Sequence, residues 1–392
     1  MIDLTLNNGL RITALNRSGF KSASVTAYVN YGTAHESKNE SAHLLEHMLL
    51  DNVSEDLPKI GSYTHGKTFL TYTTYYFPFY FKYANEAADL ITKLLSKSSF
   101  NEDNLNKEKK SVLRELSRVQ DSPFLAFNHK VTDVLFRDKI RKTLYEEISV
   151  TESMTLDILS HTYNANYVPS RVHIFAYGAV DEEKIAERLK NNLGDYKEDL
   201  ESKNTKLTDL KDTPEKETKY NFSSSLVGTC FILPGTEHFS KNLHGYYSFL
   251  MAFSGIIKKL EDVLKNKGLI YEGQSIEQIF DGAGYCWYFA PVNKKDTAET
   301  QKIMSKELDN IYKNGFERNE FSHFKNRTLL DYAEEQEDKE QFSINFLKFK
   351  NMDYIKNAES SDNIIEDIQK EDFDKAISTY LSKGKELVIN GE

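Results

Sequence analysis

One stretch of ten residues, 41–50, constrains the fold of this 392-residue chain more than any other. Leu and Ala favour a helix, and nothing in the stretch breaks one. In a helix, His43 and His47 are four residues apart and lie on one face, with Glu46 beside them. Every other position from Ala42 to Leu50 is apolar, and a helix that is apolar all round is a buried one. The stretch therefore predicts a buried helix that carries two imidazoles and one carboxylate into an interior.

These three polar side chains have the chemistry of a catalytic metal site. Two imidazoles one helical turn apart can bind a zinc ion, and a neighbouring carboxylate can take a proton from water at that ion. A single buried histidine is usually just hydrogen-bonded, but two histidines and a glutamate on one buried face must be paired or bound to something. We therefore expect His43 and His47 to be zinc ligands and Glu46 to be a general base.

A second helix offers the further ligand that such an ion requires. Apolar residues recur at helical spacing over 105–119, and Glu108 and Glu115, two turns apart, fall on the same stripe. A zinc ion held by two histidines needs a third protein ligand, for which Glu115 has the right chemistry. Glu108 would then orient a ligand. The alternative is a solvated helix edge on which these glutamates pair with Lys109 or Arg114.

The composition favours two globular domains and excludes several classes of function. The chain is longer than one hydrophobic core usually covers, and 39% apolar with 28% charged residues is typical of a globular protein. The net charge of −10 argues against binding to nucleic acid, and no apolar run approaches membrane-spanning length. Only two cysteines are present and the N-terminus lacks a signal-peptide pattern, which together predict a cytoplasmic protein.

The order of the predicted elements indicates an α+β fold with two α/β domains, 1–200 and 221–392, joined by a polar linker at 201–220. Only the first carries the histidine and glutamate set, and no residue-level repeat relates the two. Pro78 suggests that its strand is an edge strand or carries a bulge. The predicted strands are two short ones around the turn Asn8-Gly9, then 25–31, 71–83, 171–177, 226–233, 269–280, 285–291 and 387–389. The clearest predicted helices are 85–95, 105–119 and 242–264.

Several of these segments resemble one family of peptidases. His43-x-x-Glu46-His47 is similar to the inverted zinc motif of the M16, or pitrilysin, family, which includes the mitochondrial processing peptidase and bacterial relatives. The segment from Glu108 to Glu115 resembles the second signature of that family. The likeness covers nearly the whole chain and is weaker in its second half. Further matching positions are Thr68, Thr73, Tyr75, Tyr167-Val168-Pro169, Gly178-x-Val180-Asp181 and Lys267-Gly268-Leu269-Ile270-Tyr271.

The resemblance implies a zinc endopeptidase made of two homologous domains, each a mostly antiparallel mixed sheet with helices on one side, that form half of a clamshell. Half-length members of the family pair around a chamber that admits extended peptides, which would lie along a sheet edge near 63–71. The resemblance also implies one zinc ion per chain and gives each candidate residue a role. The roles are zinc ligands for His43, His47 and Glu115, ligand orientation for Glu108, catalysis for Glu46 and Tyr271, and substrate binding for His65 and Thr68.

Three departures from the family pattern leave alternatives open. The segment between His47 and Glu115 is several residues shorter than usual, and the segment 65–68 (His-Gly-Lys-Thr) replaces the common Asn-Ala-x-Thr. Leu264 stands seven residues before Tyr271, where the family often has an arginine that holds substrate. The missing arginine suggests a heterodimer with a paralogous subunit that lacks the zinc motif, although a homodimer stays open. Alternative functions are a non-catalytic peptide-binding or scaffold subunit and an unrelated zinc hydrolase of small molecules.

Overall fold

In the computed structural model of the chain, the described residues are 1–37, 39–96, 100–119, 121–136, 144–196, 223–350 and 361–390. The predicted linker at 201–220 lies outside them. The strands, numbered in chain order, are β1 (Ile2–Thr5), β2 (Arg11–Asn16), β3 (Ser22–Val29), β4 (Gly66–Thr68), β5 (Thr73–Tyr80), β6 (Val172–Gly178), β7 (Ser225–Leu233), β8 (Gln274–Ile279), β9 (Gly284–Val292) and β10 (Lys385–Ile389).

Helices lie between the groups of strands. No helix in the described part of the chain is long and apolar enough to cross a membrane. The helices are α1 (Ala42–Asp51), α2 (Ala84–Ser96), α3 (Glu102–Arg118), α4 (Pro123–Phe136), α5 (Leu144–Ser153), α6 (Leu156–Asn166), α7 (Glu182–Leu193), α8 (Thr236–Ser240), α9 (Leu243–Asn266), α10 (Thr297–Asn314), α11 (Arg318–Glu337), α12 (Lys339–Lys350), α13 (Ser361–Asp367) and α14 (Lys370–Tyr380).

The chain divides into two compact units, and the first contains a six-stranded sheet in the order β1-β2-β6-β3-β5-β4. The predicted hairpin at one end of this sheet is confirmed, since β1 and β2 are antiparallel and Gly9 has a positive φ of 89° in the turn. Among the described strands of this sheet, only β2 and β6 pair in parallel, and the other neighbours are antiparallel. The sheet is therefore mixed and mostly antiparallel, as predicted.

Pro78 lies in β5, which has neighbours on both sides and no bulge, so the predicted edge strand or bulge was wrong. The neighbour β4 pairs with β5 only at residues 73–75. The amide of Tyr76 donates to the carbonyl of His65 on the β4 side, and residues two apart in a strand direct their backbone groups to the same side. The ring nitrogen of Pro78 therefore faces a part of β5 that β4 does not reach, and no hydrogen bond of the ladder is lost.

Both faces of β6 are covered, because every residue of this strand is buried. Helix α2 packs on β3 and β5, and α7 packs on β2. Helix α12, from the far end of the sequence, packs on β3 and β6. The Phe346 ring lies 4.1 Å from that of Phe175, and the Phe342 ring lies 4.4 Å from that of Tyr177. The sequence predicted helices on one side of the sheet. In this unit, α12 also packs on the face of β6 that carries Phe175 and Tyr177.

The second unit contains a four-stranded antiparallel sheet, in the order β10-β7-β9-β8 among the described strands. Helix α4 packs on β7 and β9. On this helix, the side-chain oxygen of Asn128 accepts hydrogen bonds from the Tyr285 hydroxyl at 3.0 Å and the Trp287 indole N–H at 3.1 Å. Helix α9 packs against α10 and α14. Each sheet therefore receives a helix from a distant part of the sequence.

The strand predicted over 269–280 is shorter in the structure and begins at Gln274. Gly268, with a φ of 68°, turns the chain after α9, and the amide of Leu269 donates to the carbonyl of Leu264 at 3.1 Å. The carboxylate of Glu261 then accepts a hydrogen bond from the amide of Gly273 at 3.1 Å. These bonds hold residues 269–273 against the end of α9, so they do not extend β8.

The predicted α+β class, with helices packed on mostly antiparallel sheets, is confirmed. The predicted domain limits, 1–200 and 221–392, stay a prediction. Cys230 and Cys286 are both free and buried.

Candidate metal centre

Helix α1 is the buried helix that the sequence predicts. The Ser41 hydroxyl accepts a hydrogen bond from the Leu44 amide at 3.1 Å, and the Glu36 carboxylate accepts one from the Ala42 amide at 2.6 Å. Both bonds satisfy amides that have no partner inside the helix. The apolar positions of the helix then bury the rest of its surface. The buried residues of α1 are Ala42, Leu44, Leu45, Glu46, Met48 and Leu49.

The three predicted zinc ligands come together at the open side of this helix. One Glu115 carboxylate oxygen lies 3.4 Å from Nε2 of His43 and 3.7 Å from Nε2 of His47. One ligand atom from each of these residues lies within 4.8 Å of the others. Glu115 reaches them from α3, and its side chain remains 48% exposed. The second predicted helix therefore delivers its carboxylate to the two imidazoles, with one side of the group open to solvent.

This group fits a zinc ion in both chemistry and spacing. Two donors that bind one tetrahedral zinc ion at about 2.0–2.1 Å lie roughly 3.4 Å apart, close to the two contacts of Glu115. Two histidines and one carboxylate are also a ligand set that leaves a fourth position for water or substrate, as catalytic zinc sites require. His43, His47 and Glu115 could therefore hold a zinc ion with small adjustments of their side chains.

A series of polar contacts fixes the His47 ring through its Nδ1 atom. The buried Glu108 carboxylate lies 3.0 Å from Nδ1 of His47, on the ring nitrogen opposite Glu115. Lys107 joins Glu108, at 3.2 Å, to Asp51 at the end of α1, at 2.5 Å. A carboxylate on the second nitrogen of a metal-binding histidine fixes its orientation and tautomer. Glu108 thus lies where the predicted orienting role requires it.

The carboxylate of Glu46, close to the two histidines of α1, is held against strand β4. Its side chain is almost fully buried, and its Oε2 accepts a hydrogen bond from the Thr68 hydroxyl at 2.6 Å. Gly66 lies directly against it, so closely that a carbon added at its Cβ position would be only 2.5 Å from Oε1. The absence of a side chain at Gly66 therefore creates the space that the Glu46 carboxylate fills.

Strand β4 is the last strand of the sheet among the described strands, and two of its residues, Gly66 and Thr68, contact Glu46. The carbonyl of His65 and the amide of Phe69 both bond towards β5. Because backbone groups alternate in direction along a strand, those of Gly66 and Thr68 point away from β5, to the open edge. A peptide added at this edge would therefore pass the carboxylate of Glu46.

Charge interactions inside the site set the protonation of its groups. Burial alone would lower the pKa of His47, but the hydrogen bond with Glu108 and the close contact with Glu115 outweigh it and raise this pKa to about 10. The hydrogen bond with His47 lowers the pKa of Glu108, and the close contacts with His43 and His47 lower the pKa of Glu115. Burial raises the pKa of Glu46, and His43 and the Thr68 hydrogen bond oppose that rise. Glu46 is thus the most basic carboxylate of the site, as a proton acceptor should be.

The remaining candidates have other surroundings. His65 contacts Glu340 at 3.1 Å rather than the three ligand residues. Thr68 bonds to Glu46, and its predicted contact with substrate stays a prediction. Tyr271 belongs to the second unit, in the segment between α9 and β8, and its side chain is 90% exposed. Among the described residues, the group of candidate ligand atoms therefore does not include His65.

Two further residues of the site were missed at the level of sequence. Lys107 forms ion pairs with both Glu108 and Asp51. A lysine on a highly charged helix is usually a solvent-exposed residue, so the sequence pattern offered no reason to select it. Gly66 was noted only as a departure from Asn-Ala-x-Thr, and its contact with Glu46 depends on β4 packing against α1. A glycine in a strand can mark a close approach of another group, which is the signal that would have identified it.

Comparison with family models decides the affiliation of the chain. A model described as insulinase (peptidase family M16) matches residues 11–152, and one described as the peptidase M16 inactive domain matches residues 153–328. The chain belongs to the M16 peptidase family. Every candidate metal ligand of this M16 chain lies within the first match, and Tyr271 lies within the match that carries the inactive-domain description.

Relatives of this M16 chain include proteins named as zinc proteases and processing-peptidase subunits. The protein named uncharacterized zinc protease YmxG of Bacillus subtilis is 24% identical over 343 residues, which cover 82% of this chain and 81% of YmxG. A protein of Arabidopsis thaliana, named probable mitochondrial-processing peptidase subunit beta, is 28% identical over 197 residues, covering 47% of this chain and only 37% of its own length. A protease from Helicobacter pylori has the same fold, with a TM-score of 0.84, 15% identity and 99% coverage of both chains.

Proposed function

We propose that this M16 chain is a zinc-dependent endopeptidase that cleaves extended peptides and is the catalytic subunit of a two-subunit assembly. The observation that carries the proposal is the convergence of His43, His47 and Glu115 within 4.8 Å, with Glu46 on the same helix as the two histidines. A member with only a scaffold function has no need of this arrangement, since the buried carboxylates of Glu46 and Glu108 are costly unless they are paired or bind something.

In this proposal, one zinc ion per chain is bound by His43, His47 and Glu115. The chemistry supplied by a zinc ion bound there is Lewis acidity, which activates water and polarises a carbonyl group. Glu108 keeps Nε2 of His47 directed at the ion by its contact with Nδ1. Since the histidines must be neutral to bind a metal, binding releases the protons that their acidic neighbours favour in its absence.

Glu46 is the proposed general base. Its burial raises the pKa of its carboxyl, which makes the ionised form a stronger proton acceptor than an exposed glutamate. The Thr68 hydroxyl donates a hydrogen bond to Oε2 of Glu46 at 2.6 Å. The other oxygen, Oε1, lies against Gly66 and receives no hydrogen bond from that hydroxyl, so it is the oxygen that would take the proton. Glu46 would accept a proton from water and pass it to the departing amine of the cleaved peptide bond.

The proposed substrate is an extended peptide that adds as a strand to the open edge of β4. The outward backbone groups of Gly66 and Thr68 provide donors and acceptors that suit a peptide main chain of any sequence. A strand bound there would pass next to Glu46, which touches the same two residues. Main-chain recognition of this kind requires an unfolded or extended substrate, because a folded protein has already paired its own backbone groups.

The proposed partner is a paralogous M16 subunit that lacks the zinc residues. The chain has Leu264 where the family often has an arginine that holds the substrate, so a second subunit would supply that charge. Tyr271 is largely exposed and so is accessible to a peptide or a partner. The subunit name of the Arabidopsis relative accords with an assembly of this kind. A second copy of this chain is the alternative partner.

The proposal is tested by measuring zinc content and cleavage of an unfolded peptide for the wild type and for Glu46→Gln, each with and without the candidate partner. Glu46→Gln keeps the shape of the side chain and removes the base, so zinc content should be unchanged. Cleavage should fall by on the order of 100-fold or more, the usual contribution of general-base catalysis. Glu187→Gln, the same change at an exposed position of α7, is the matched control and should cleave like the wild type.

Two results would contradict the proposal. One is a purified wild-type protein that binds no zinc at stoichiometric amounts. The other is a Glu46→Gln protein that cleaves peptides as fast as the wild type. Peptide binding without cleavage, with or without the partner, would instead support a non-catalytic peptide-binding subunit.

A further inference from the structure

Strand β4 has a second set of contacts on the side away from Glu46. Backbone groups of Gly66 and Thr68 face the open edge, while His65 and Lys67 alternate with them along the strand. Both of these basic side chains contact one carboxylate, that of Glu340, at 3.1 Å for His65 and 2.6 Å for Lys67. One acidic residue therefore contacts both Lys67 in β4 and His65, the residue that precedes the strand.

Glu340 is well placed to act as a fixed anchor. It lies in the first turn of α12, and its side chain is only 19% exposed. The backbone there is capped, since the Asp338 carboxylate accepts a hydrogen bond from the Glu340 amide at 3.0 Å. Helix α12 itself is held to the sheet by the aromatic contacts of Phe342 and Phe346 with β6. The position of Glu340 is therefore set by the core of the unit rather than by β4.

Strand β4, by contrast, packs against α1 but is joined to the sheet by only a short ladder. It is three residues long and pairs with β5 at only three positions. Its other edge is the one that the proposed substrate would use. Short edge strands tend to open locally before the core does, because few backbone bonds and apolar contacts retain them. The ion pair of Lys67 with Glu340 and the contact of His65 with the same carboxylate add the attachment that the short ladder lacks.

We propose that Glu340 is a positioning residue that anchors β4 through His65 and Lys67, so that its outer edge is ordered before a peptide arrives. This inference rests on the proposed function, because it takes the edge of β4 as the site where the peptide binds. An ordered edge binds more tightly than a mobile one, since the cost of ordering it no longer opposes binding. His65 is thereby assigned a role in fixing the strand rather than the predicted role in binding substrate.

A role in anchoring differs in its measurable effects from a role in general stability. Partly exposed ion pairs contribute little to the free energy of unfolding, so loss of Glu340 should barely change global stability. Glu46 belongs to α1 rather than to β4, so the rate of the chemical step should change less than peptide binding. The main effect should fall on the binding of extended peptides and on local opening of β4.

The first experiment measures peptide binding in a background that cannot cleave. The Kd of an extended peptide is compared for Glu46→Gln and for Glu46→Gln with Glu340→Gln, both loaded with zinc. We expect the Kd to rise about tenfold on loss of the two charged contacts. Hydrogen exchange over residues 62–76 should also become faster, because the amides of Lys67 and Tyr76 in the β4–β5 ladder open more often.

A charge exchange separates anchoring from an unspecific effect of the substitution. Glu340→Lys alone should weaken peptide binding further, because it places like charges beside Lys67. Combining it with Lys67→Glu restores one ion pair with reversed sign and should recover most of the affinity. Asp89→Asn, which removes the bidentate ion pair between α2 and α7, is the matched control. It removes a comparable surface contact and should leave the Kd unchanged.

The outcomes distinguish this inference from the proposed function. If the wild type binds zinc and cleaves peptides, but Glu340→Gln changes neither the peptide Kd nor exchange over 62–76, the anchoring role is refuted. Failure of the charge exchange to recover affinity would refute it as well. If the wild type proves unable to cleave, the proposed function fails, while faster exchange and weaker peptide binding in Glu340→Gln would still support the anchor.

Discussion

Substitution of Gly66 by alanine is the sharpest test of how the carboxylate of Glu46 is placed. A carbon at the Cβ position of residue 66 would lie 2.5 Å from Oε1, 2.8 Å from Cδ and 2.9 Å from Cγ of Glu46. Ordinary contact begins at 3.4 Å, so Oε1 must move by about 0.9 Å. The backbone of Gly66 does not have a positive φ, so alanine adds no strain of its own. The whole effect of the methyl group therefore falls on Glu46.

The expected loss is large for catalysis and small for stability. A shift of about 1 Å in a reacting group costs on the order of 100-fold in rate, so kcat should fall by about that factor. Over-packing costs about 1–3 kcal/mol of the free energy of unfolding. Replacing glycine by alanine also reduces the conformational entropy of the unfolded chain, which offsets about 0.4–1 kcal/mol of this cost. The variant should therefore remain folded, bind zinc normally through residues on α1 and α3, and cleave slowly.

The assay is steady-state cleavage of a peptide together with zinc content and denaturant unfolding. Gly194→Ala is the matched control, since it adds the same methyl group at the end of α7, where φ is −60°. A second control combines Gly66→Ala with Glu46→Asp, whose shorter side chain relieves the contact. In that background the added methyl group should no longer destabilise the protein. A folded, zinc-loaded Gly66→Ala that keeps a kcat within threefold of the wild type would refute this account of the site.

Three further predictions follow from neighbouring contacts. Glu108→Gln should lower zinc affinity by about 10–100-fold, because it weakens the contact that orients His47; competition with a chelator measures this. Ser41→Ala should cost about 1 kcal/mol of stability in urea unfolding, because the N-cap of α1 is lost. The hydrogen bond from Arg188 lowers the pKa of Asp89 in the folded protein. The pair therefore stabilises the protein fully at pH values above the ordinary pKa of Asp, and this stabilisation is lost as the pH falls through the lowered pKa. Asp89→Asn should therefore cost at most about 1 kcal/mol at pH 7, and the difference should vanish at acidic pH.

Each of these predictions has a result that would contradict it. Unchanged zinc affinity in Glu108→Gln would mean that His47 is oriented by other contacts. A Ser41→Ala protein as stable as the wild type would mean that the end of α1 is satisfied without its cap. A cost of Asp89→Asn that grows as pH falls would reverse the sign worked out from its pKa.

Local patterns in the sequence were sufficient to predict the elements that carry the site. The burial of α1 follows from its composition, and the spacing of Glu108 and Glu115 follows from helical geometry, so each helix face could be assigned without knowledge of the fold. The meeting of Glu115 with His43 and His47 was predicted by the requirement for a third ligand and by the family resemblance. The structure brings these three side chains together, and their role as zinc ligands remains the proposal.

Contacts between distant elements could not be predicted in the same way. The space for Glu46 depends on Gly66 lying on a strand that packs against α1, which no local pattern contains. The contact of Glu340 with His65 joins positions far apart in the sequence, on a helix and a strand whose pairing is set by the tertiary fold. The prediction of an edge strand or bulge from Pro78 was wrong for a related reason. Whether a proline in β5 costs a hydrogen bond depends on the length of the neighbouring strand β4, which the sequence around Pro78 does not contain.

The packing of α12 on β3 and β6 has a consequence for the order in which the chain can fold during synthesis. The aromatic face of β6 at Phe175 and Tyr177 stays uncovered until Phe342 and Phe346 have left the ribosome. A fragment that stops at residue 200 would contain the candidate zinc ligands but expose this face to water, which favours aggregation. The first unit therefore matures only after residue 346 has been translated, and a fragment of residues 1–200 is poorly suited to expression on its own.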